Sequence, residues 1–116
     1  DKWDKEKLAK KFNNWSFFLI ENQKKVVGAM SLHCGSGVCL VDALAIKPQF
    51  QDKDFGSQLI RFAEKYAKEN DCHKLWCYSL EIYKAKDFYL KLGFEQEGLL
   101  KNHWFGMNSY VFGKQI

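Results

Sequence analysis

The sequence predicts an α+β fold: a mixed, mostly antiparallel sheet flanked by helices. Three observations carry this. Trp15 to Ile46 holds three runs rich in strand formers, separated by short polar turns, which is the pattern of an antiparallel meander. Gly56 to about Glu69 sets Leu59, Ile60, Phe62, Ala63, Tyr66 and Ala67 at helical spacing, against a charged face of Arg61, Glu64, Lys65 and Lys68. Lys74 to Ser79 then reads as a buried strand, and a strand, loop, helix, strand order makes the strands around Leu44 and Trp76 parallel by a crossover. Such a pair is the only parallel one in the sheet and leaves a switch point at its C-terminal ends.

Taken in order, Trp3 to Asn14 carries Trp3, Leu8 and Phe12 among lysines, an amphipathic helix with one narrow apolar stripe. Trp15 to Ile20 is the first strand, Glu21 to Lys24 a turn, and Lys25 to Leu32 the returning strand. Cys34-Gly35-Ser36-Gly37 is a second turn, and Val38 to Ile46 the third strand. Pro48 cannot continue a central ladder. The run from Gln51 to Gly56 brings backbone N–H groups to a helix start, where the macrodipole favours an anion. Asn70-Asp71 ends that helix. A second helix is expected from about Tyr83 to Leu92, with Ala85, Phe88 and Leu92 toward the core and Gly93 as its stop. Phe94 to Leu100 and Asn108 to Gly113 are the last strands, joined by an aromatic loop, Lys101 to Met107, that contains His103, Trp104 and Phe105. His33 and His73 read as turn residues, and Trp15 and Trp76 as core.

At 116 residues and 47% hydrophobic, residues 1–116 make a single domain able to bury a core without disulfides. The net charge is +4, with 18 basic residues scattered among 14 acidic ones, and no basic face interleaved with aromatics marks a nucleic-acid partner. No apolar run reaches membrane-spanning length and no signal-like region follows Asp1, so no membrane partner and a cytoplasmic location are expected. Cys34 and Cys39, and Cys72 and Cys77, are pairs with four intervening residues, each near a histidine, a spacing that raises zinc. Against that, Cys39 and Cys77 sit in apolar strand-like runs as small core hydrophobes. Four free thiols and no metal are expected.

The stretch Ile46-Lys47-Pro48-Gln49-Phe50-Gln51-Asp52-Lys53-Asp54-Phe55-Gly56-Ser57-Gln58-Leu59 resembles the acyl-CoA signature of the GNAT superfamily of N-acyltransferases. Ile46, Pro48, Gln51, Gly56 and Leu59 fit the pattern, and Asp54 stands where the family usually has the first glycine of a pair. A second run, Ala85 to Gly98, resembles the same family through Ala85, Phe88, Tyr89, the Gly93-Phe94 pair and Gly98, with Ile82 where an asparagine is frequent. The two segments occur in the family's order with a helix and a strand between them.

The resemblance implies a GNAT-like fold with a splayed parallel pair, whose usual first strand is expected to be missing from this chain. It implies acetyl-CoA in the splay, its pantetheine against the backbone of Leu44, Ala45 and Ile46. The pyrophosphate would lie on the amides of Gln51, Asp52, Lys53, Asp54, Phe55, Gly56 and Ser57. The implied activity is N-acetyl transfer to a primary amine of a small molecule or peptide, by direct attack, with Tyr89 as the acid that protonates the leaving thiolate. Helical position alone reads Tyr89 as a core aromatic. The base is open among Asp42, His103, Glu81 and a water chain, and Asp42 and His103 also read as exposed residues without a catalytic role. Lys53, Arg61 and Lys65 are either phosphate contacts or solvated cations. A non-catalytic CoA-binding domain of the same fold is the alternative, and a homodimer is left open.

Overall fold

The computed structural model describes residues 15–116, so the helix expected over Trp3 to Asn14 lies outside the described residues. Six strands form one sheet: β1 (Trp15–Asn22), β2 (Lys25–Gly35), β3 (Val38–Ile46), β4 (Lys74–Leu80), β5 (Glu95–Leu100) and β6 (Ser109–Gln115), in the spatial order β1-β2-β3-β4-β6-β5. Among these described strands only β3 and β4 run parallel, as the crossover requires.

The meander turns on two-residue loops. Gln23 and Lys24 have φ of 52° and 66°, and Ser36 and Gly37 of 55° and 82°, the left-handed pairs that match the twist of adjoining strands. The second turn is tighter than expected. Cys34 and Gly35 remain in β2 because they pair with Cys39 and Val38. His33 is therefore a strand residue opposite Leu40, not a turn residue, and its ring lies 4.6 Å from that of Trp15. Trp15 is 47% exposed rather than core. It opens an edge strand, and on a pleated strand alternate residues face away from the helix that covers the sheet.

That helix, α1 (Phe55–Glu69), lays Leu59, Ile60, Ala63 and Ala67 on one face of the sheet, over Met30, Leu32, Cys39, Val41, Leu75, Cys77 and Phe112. Ser16, Phe18 and Ile20 turn toward it from β1: the Ser16 and Tyr66 hydroxyls are 2.6 Å apart, and Phe18 meets Phe62 and Tyr66 edge-on at 4.8 and 5.0 Å. All four cysteines are unbridged and buried, and burial first of all pushes the Cys34, Cys72 and Cys77 thiols up to about 12 and Cys39 to about 11. Trp76 is only half-buried, on the opposite face.

The second helix, α2 (Lys86–Lys91), is shorter than the expected span from Tyr83. Glu81–Tyr83 form a separate 3-10 turn, ended by Lys84 in the left-handed region at φ 54°. The end of α2 fits expectation and does more than stop the chain. Gly93, at φ 92°, donates to Leu90 C=O and Phe94 N–H reaches back to Tyr89 C=O, both at 3.1 Å. This is a Schellman closure, in which the residue after the glycine packs on the residue three before the cap. Those residues are Phe94 and Tyr89, whose rings meet at 5.4 Å. Lys114 Nζ adds a bond to Leu92 C=O at 2.7 Å and pairs with Glu64, fastening α2 to β6 and α1.

Candidate active site

The site begins where β3 and β4 part. Their pairing covers Val38 to Leu40 against Lys74 to Trp76 and then stops, although both strands continue. A bulge explains the divergence. Ser31 pairs with Ala43 and Leu32 with Val41, so Asp42 is an extra residue with no partner on β2, and a bulge bends its strand and re-aims its side chain. The bulge also shifts the alternation: Cys39 and Val41 face the core before it, Leu44 and Ile46 after it.

Beyond the bulge the backbone offers unpaired edge groups. Lys47 N–H donates to Val27 C=O on the β2 side at 2.8 Å, so by alternation Ile46 and Leu44 turn their N–H and C=O groups into the splay. Gln51 Nε2 donates to Ile46 C=O at 3.1 Å, which ties the following loop to the strand end. In that loop Asp52 and Asp54 have φ of 60° and 68°. Asp54 precedes α1 without a side-chain cap, and the first helical bond is Gln58 N–H to Asp54 C=O. The amides of Phe55, Gly56 and Ser57 thus have no acceptor within the helix, and they sit at its positive end. The Asp54 carboxylate is turned to Arg61 at 3.0 Å, an exposed pair.

Two cavities flank this edge. The first, about 650 Å³, is lined by Leu44, Ile46 and Phe50, by the loop and helix start from Gln51 to Ser57 excepting Lys53, and by Ala85, Phe88 and Tyr89. Gly56 admits Phe88 here, since an added Cβ would stand 3.2 Å from its ring. The second, about 430 Å³, is lined by Val41 to Ala45, Tyr78 to Leu80, Tyr83, Tyr89, Trp104 and Phe105. Leu44 and Tyr89 form part of both walls.

Tyr89 is 8% exposed, stacked on Phe112 at 5.2 Å, with its hydroxyl against the Cys77 thiol. Burial, then Cys77, raises its pKa above the ordinary phenol value. Asp42 lines the second cavity and accepts a hydrogen bond from Tyr78 at 3.0 Å, while burial and Asp42 raise the Tyr78 pKa. Tyr78 in turn stacks on Trp104 at 5.8 Å.

The structure thus brings Tyr89, Asp42, Leu44 and the loop residues to one place. His103 is not in either lining; it packs edge-on against Trp104 at 4.8 Å. Glu81 is held by Asn108, whose Nδ2 donates to it at 3.2 Å. Ala45 lines the second cavity rather than the first, and the Lys53 ammonium rests 5.7 Å over the Phe50 ring. Tyr78, Tyr83 and Phe88 were not singled out as site residues by sequence reasoning. The signal available for Tyr78 was its place two residues beyond Trp76, level with Asp42 once the register is known. Among the described residues no three His, Cys, Asp or Glu side chains gather in metal-binding geometry, and no helix is long and apolar enough to cross a membrane.

Known proteins share the fold and part of the sequence. A protein of Bacillus subtilis (strain 168), provisionally named a ribosomal protein bS18-alanine N-acetyltransferase, is 32% identical over 85 residues, 66% of this chain and 54% of that protein. The chain spans about half the length of the curated relatives it matches, 54% and 53%. A GNAT family acetyltransferase from Elizabethkingia anophelis, solved with acetyl-CoA bound, shares the fold with a TM-score of 0.82 at 16% identity, over 97% of this chain and 84% of that one. A chimeric spermidine N-acetyltransferase from Vibrio cholerae and hSSAT gives a TM-score of 0.80 at 25% identity, over 89% and 70% of the two chains. The sequence profile of the acetyltransferase (GNAT) domain matches residues 13–96, most of the chain, and the chain belongs to that family.

Proposed function

We propose that the chain carries out N-acetyl transfer from acetyl-CoA to a primary amine of a small molecule or peptide, with Tyr89 as general acid. The observation that carries this is the shared wall. Tyr89 and Leu44 stand between a cavity edged by helix-start amides, with Asp52 and Asp54 also in its lining, and one whose only charged lining residue is Asp42. Acetyl-CoA supplies an acetyl group activated as a thioester. The amides of Phe55, Gly56 and Ser57 suit its pyrophosphate, and the backbone groups of Leu44 and the N–H of Ile46, turned into the splay, suit the amides of its pantetheine arm, while Ile46 C=O is held by Gln51. Relatives named for a ribosomal-protein alanine and for spermidine support an amine acceptor.

Asp42 takes a proton from the incoming ammonium, freeing the nitrogen to attack the acetyl carbonyl. As the new C–N bond forms and the C–S bond breaks, the nitrogen releases its second proton to solvent, and Tyr89 gives its phenolic proton to the departing sulfur and recovers one through solvent. Burial raises Tyr89 and so weakens it as an acid. The same dry surroundings hold the adjacent Cys77 thiol at about 12, well above its ordinary value of 9.0. A thiolate that leaves beside Tyr89 also loses hydration, which raises its own basicity and favours taking the proton.

A second reading, CoA binding without catalysis, draws on Asp54 and its negative charge at the loop. Thiol release from acetyl-CoA with a panel of primary amines, run beside calorimetric binding of acetyl-CoA, decides between them. Amine-dependent release supports transfer. Binding with no release across the panel supports the second reading, and neither binding nor release contradicts both.

A further inference from the structure

We infer that the second cavity selects an ammonium whose adjacent carbon bears no free carboxylate: an amine or a peptide N-terminus, and not a free α-amino acid. This rests on the acetyl-transfer reading above and adds the acceptor class to it.

The first ground is charge. The protein carries +4 overall, yet of the residues lining this cavity only Asp42 is charged, and no Lys, Arg or His lines it. An α-carboxylate brought in beside the ammonium would meet the exposed Asp42 carboxylate with no counter-charge among the lining residues, and like charges brought together disfavour binding.

The second ground is the surface that faces the carboxylate. Tyr78 donates to Asp42 and stacks on Trp104, so one hydrogen bond and one ring contact fix the acid relative to the wall. Tyr83, Tyr89 and Phe105 extend that wall, and aromatic faces attract a cation while they give an anion nothing. The third ground is how the rim is held. Phe105 is 90% exposed and sits at φ 55°, and Lys84, next to exposed Tyr83, is at φ 54°. Phe105 and Tyr83 thus place ring surface at the mouth of the cavity. The apolar rim suits an uncharged body attached to the ammonium.

The test uses matched probes, phenethylamine against phenylalanine and alaninamide against alanine, in two independent readouts. In steady-state thiol release, kcat/KM for each amine or amide should exceed that for its acid by about tenfold or more, a like-charge contact of about 1.4 kcal/mol per tenfold. Comparable values for acid and amide would overturn the inference. Calorimetric titration of the probes needs no turnover. Phenethylamine should bind and phenylalanine should not, and Asp42→Asn should weaken phenethylamine tenfold or more. Tyr78→Phe, which keeps the ring on Trp104, should raise KM for the amine several-fold while KM for acetyl-CoA stays put. Absence of release with every acceptor, together with selective amine binding, would overturn the transfer reading and leave the inference standing. Equal binding of phenethylamine and phenylalanine, or unchanged binding in Asp42→Asn, would contradict the inference alone.

Discussion

Tyr89 owes its place to backbone geometry and ring packing, and what distinguishes it from Phe88 or Phe94 is one hydroxyl. Tyr89→Phe keeps the stacking on Phe112 and deletes the donor. Turnover is expected to fall by about 10²-fold or more, with acetyl-CoA affinity nearly unchanged and stability lowered by about 1 kcal/mol at most. Single-turnover rate and melting temperature measured on the same variant check this, and parental rates would return Tyr89 to a packing role. Asp54 poses the opposite question. It adopts φ 68°, a conformation glycine reaches without strain, and its carboxylate holds Arg61. Asp54→Gly removes a negative charge near the helix-start amides and frees Arg61, while the exposed ion pair lost is worth about 1 kcal/mol at most. Tighter CoA binding by calorimetry is expected, and weaker binding would show that the pair with Arg61 shapes the loop.

Among the elements, the closure of α2 links fold to chemistry most closely, because Tyr89 is the residue whose carbonyl and ring the closure grips. Gly93→Ala would put a Cβ at φ 92° and 3.1 Å from Lys114 Cε. Left-handed backbone costs a non-glycine residue about 1–2 kcal/mol, so the melting temperature should drop by about 4–8 °C or more. Turnover should fall as well, measured well below that temperature, since Tyr89 shifts with the turn. An unchanged melting temperature would contradict the role given to the closure. The strands, α1 and the parallel pair were legible in the sequence, because each is a run of clear period or composition bounded by polar turns. The bulge at Asp42 was not. Ala43 and Ala45 are apolar too, so Val38 to Ile46 reads as one continuous apolar strand, and the shift from Val41 to Leu44 shows only once β2 supplies the register. The expected start of the second helix misled for a similar reason: Tyr83 to Ala85 has helical composition, but Lys84 turns left-handed and keeps Tyr83 apart from α2.

For the whole molecule, one buried face joins the site to global stability. Cys34, Cys39, Cys72 and Cys77 stay protonated in the fold up to about 11–12, against 9.0 unperturbed. Their folded values are raised, so this contribution is complete below about pH 9 and is lost as pH climbs toward 11–12, where the unfolded chain has already released protons the fold retains. Tyr89, raised in the same direction, adds to the loss at still higher pH. Melting temperature should therefore decline steadily above pH 9, and a flat profile to pH 11 would show these thiols to be in contact with water. A nuclear magnetic resonance titration, practical for a chain of 13.6 kDa, puts the splay itself to the most direct test. On adding acetyl-CoA, the backbone amide shifts of Leu44, Ile46, Phe55, Gly56 and Ser57 should move together and saturate with one dissociation constant. Shifts that never appear, or that fall on β1 and β5 while these five stay still, would contradict the assignment of the splay as the acetyl-CoA site.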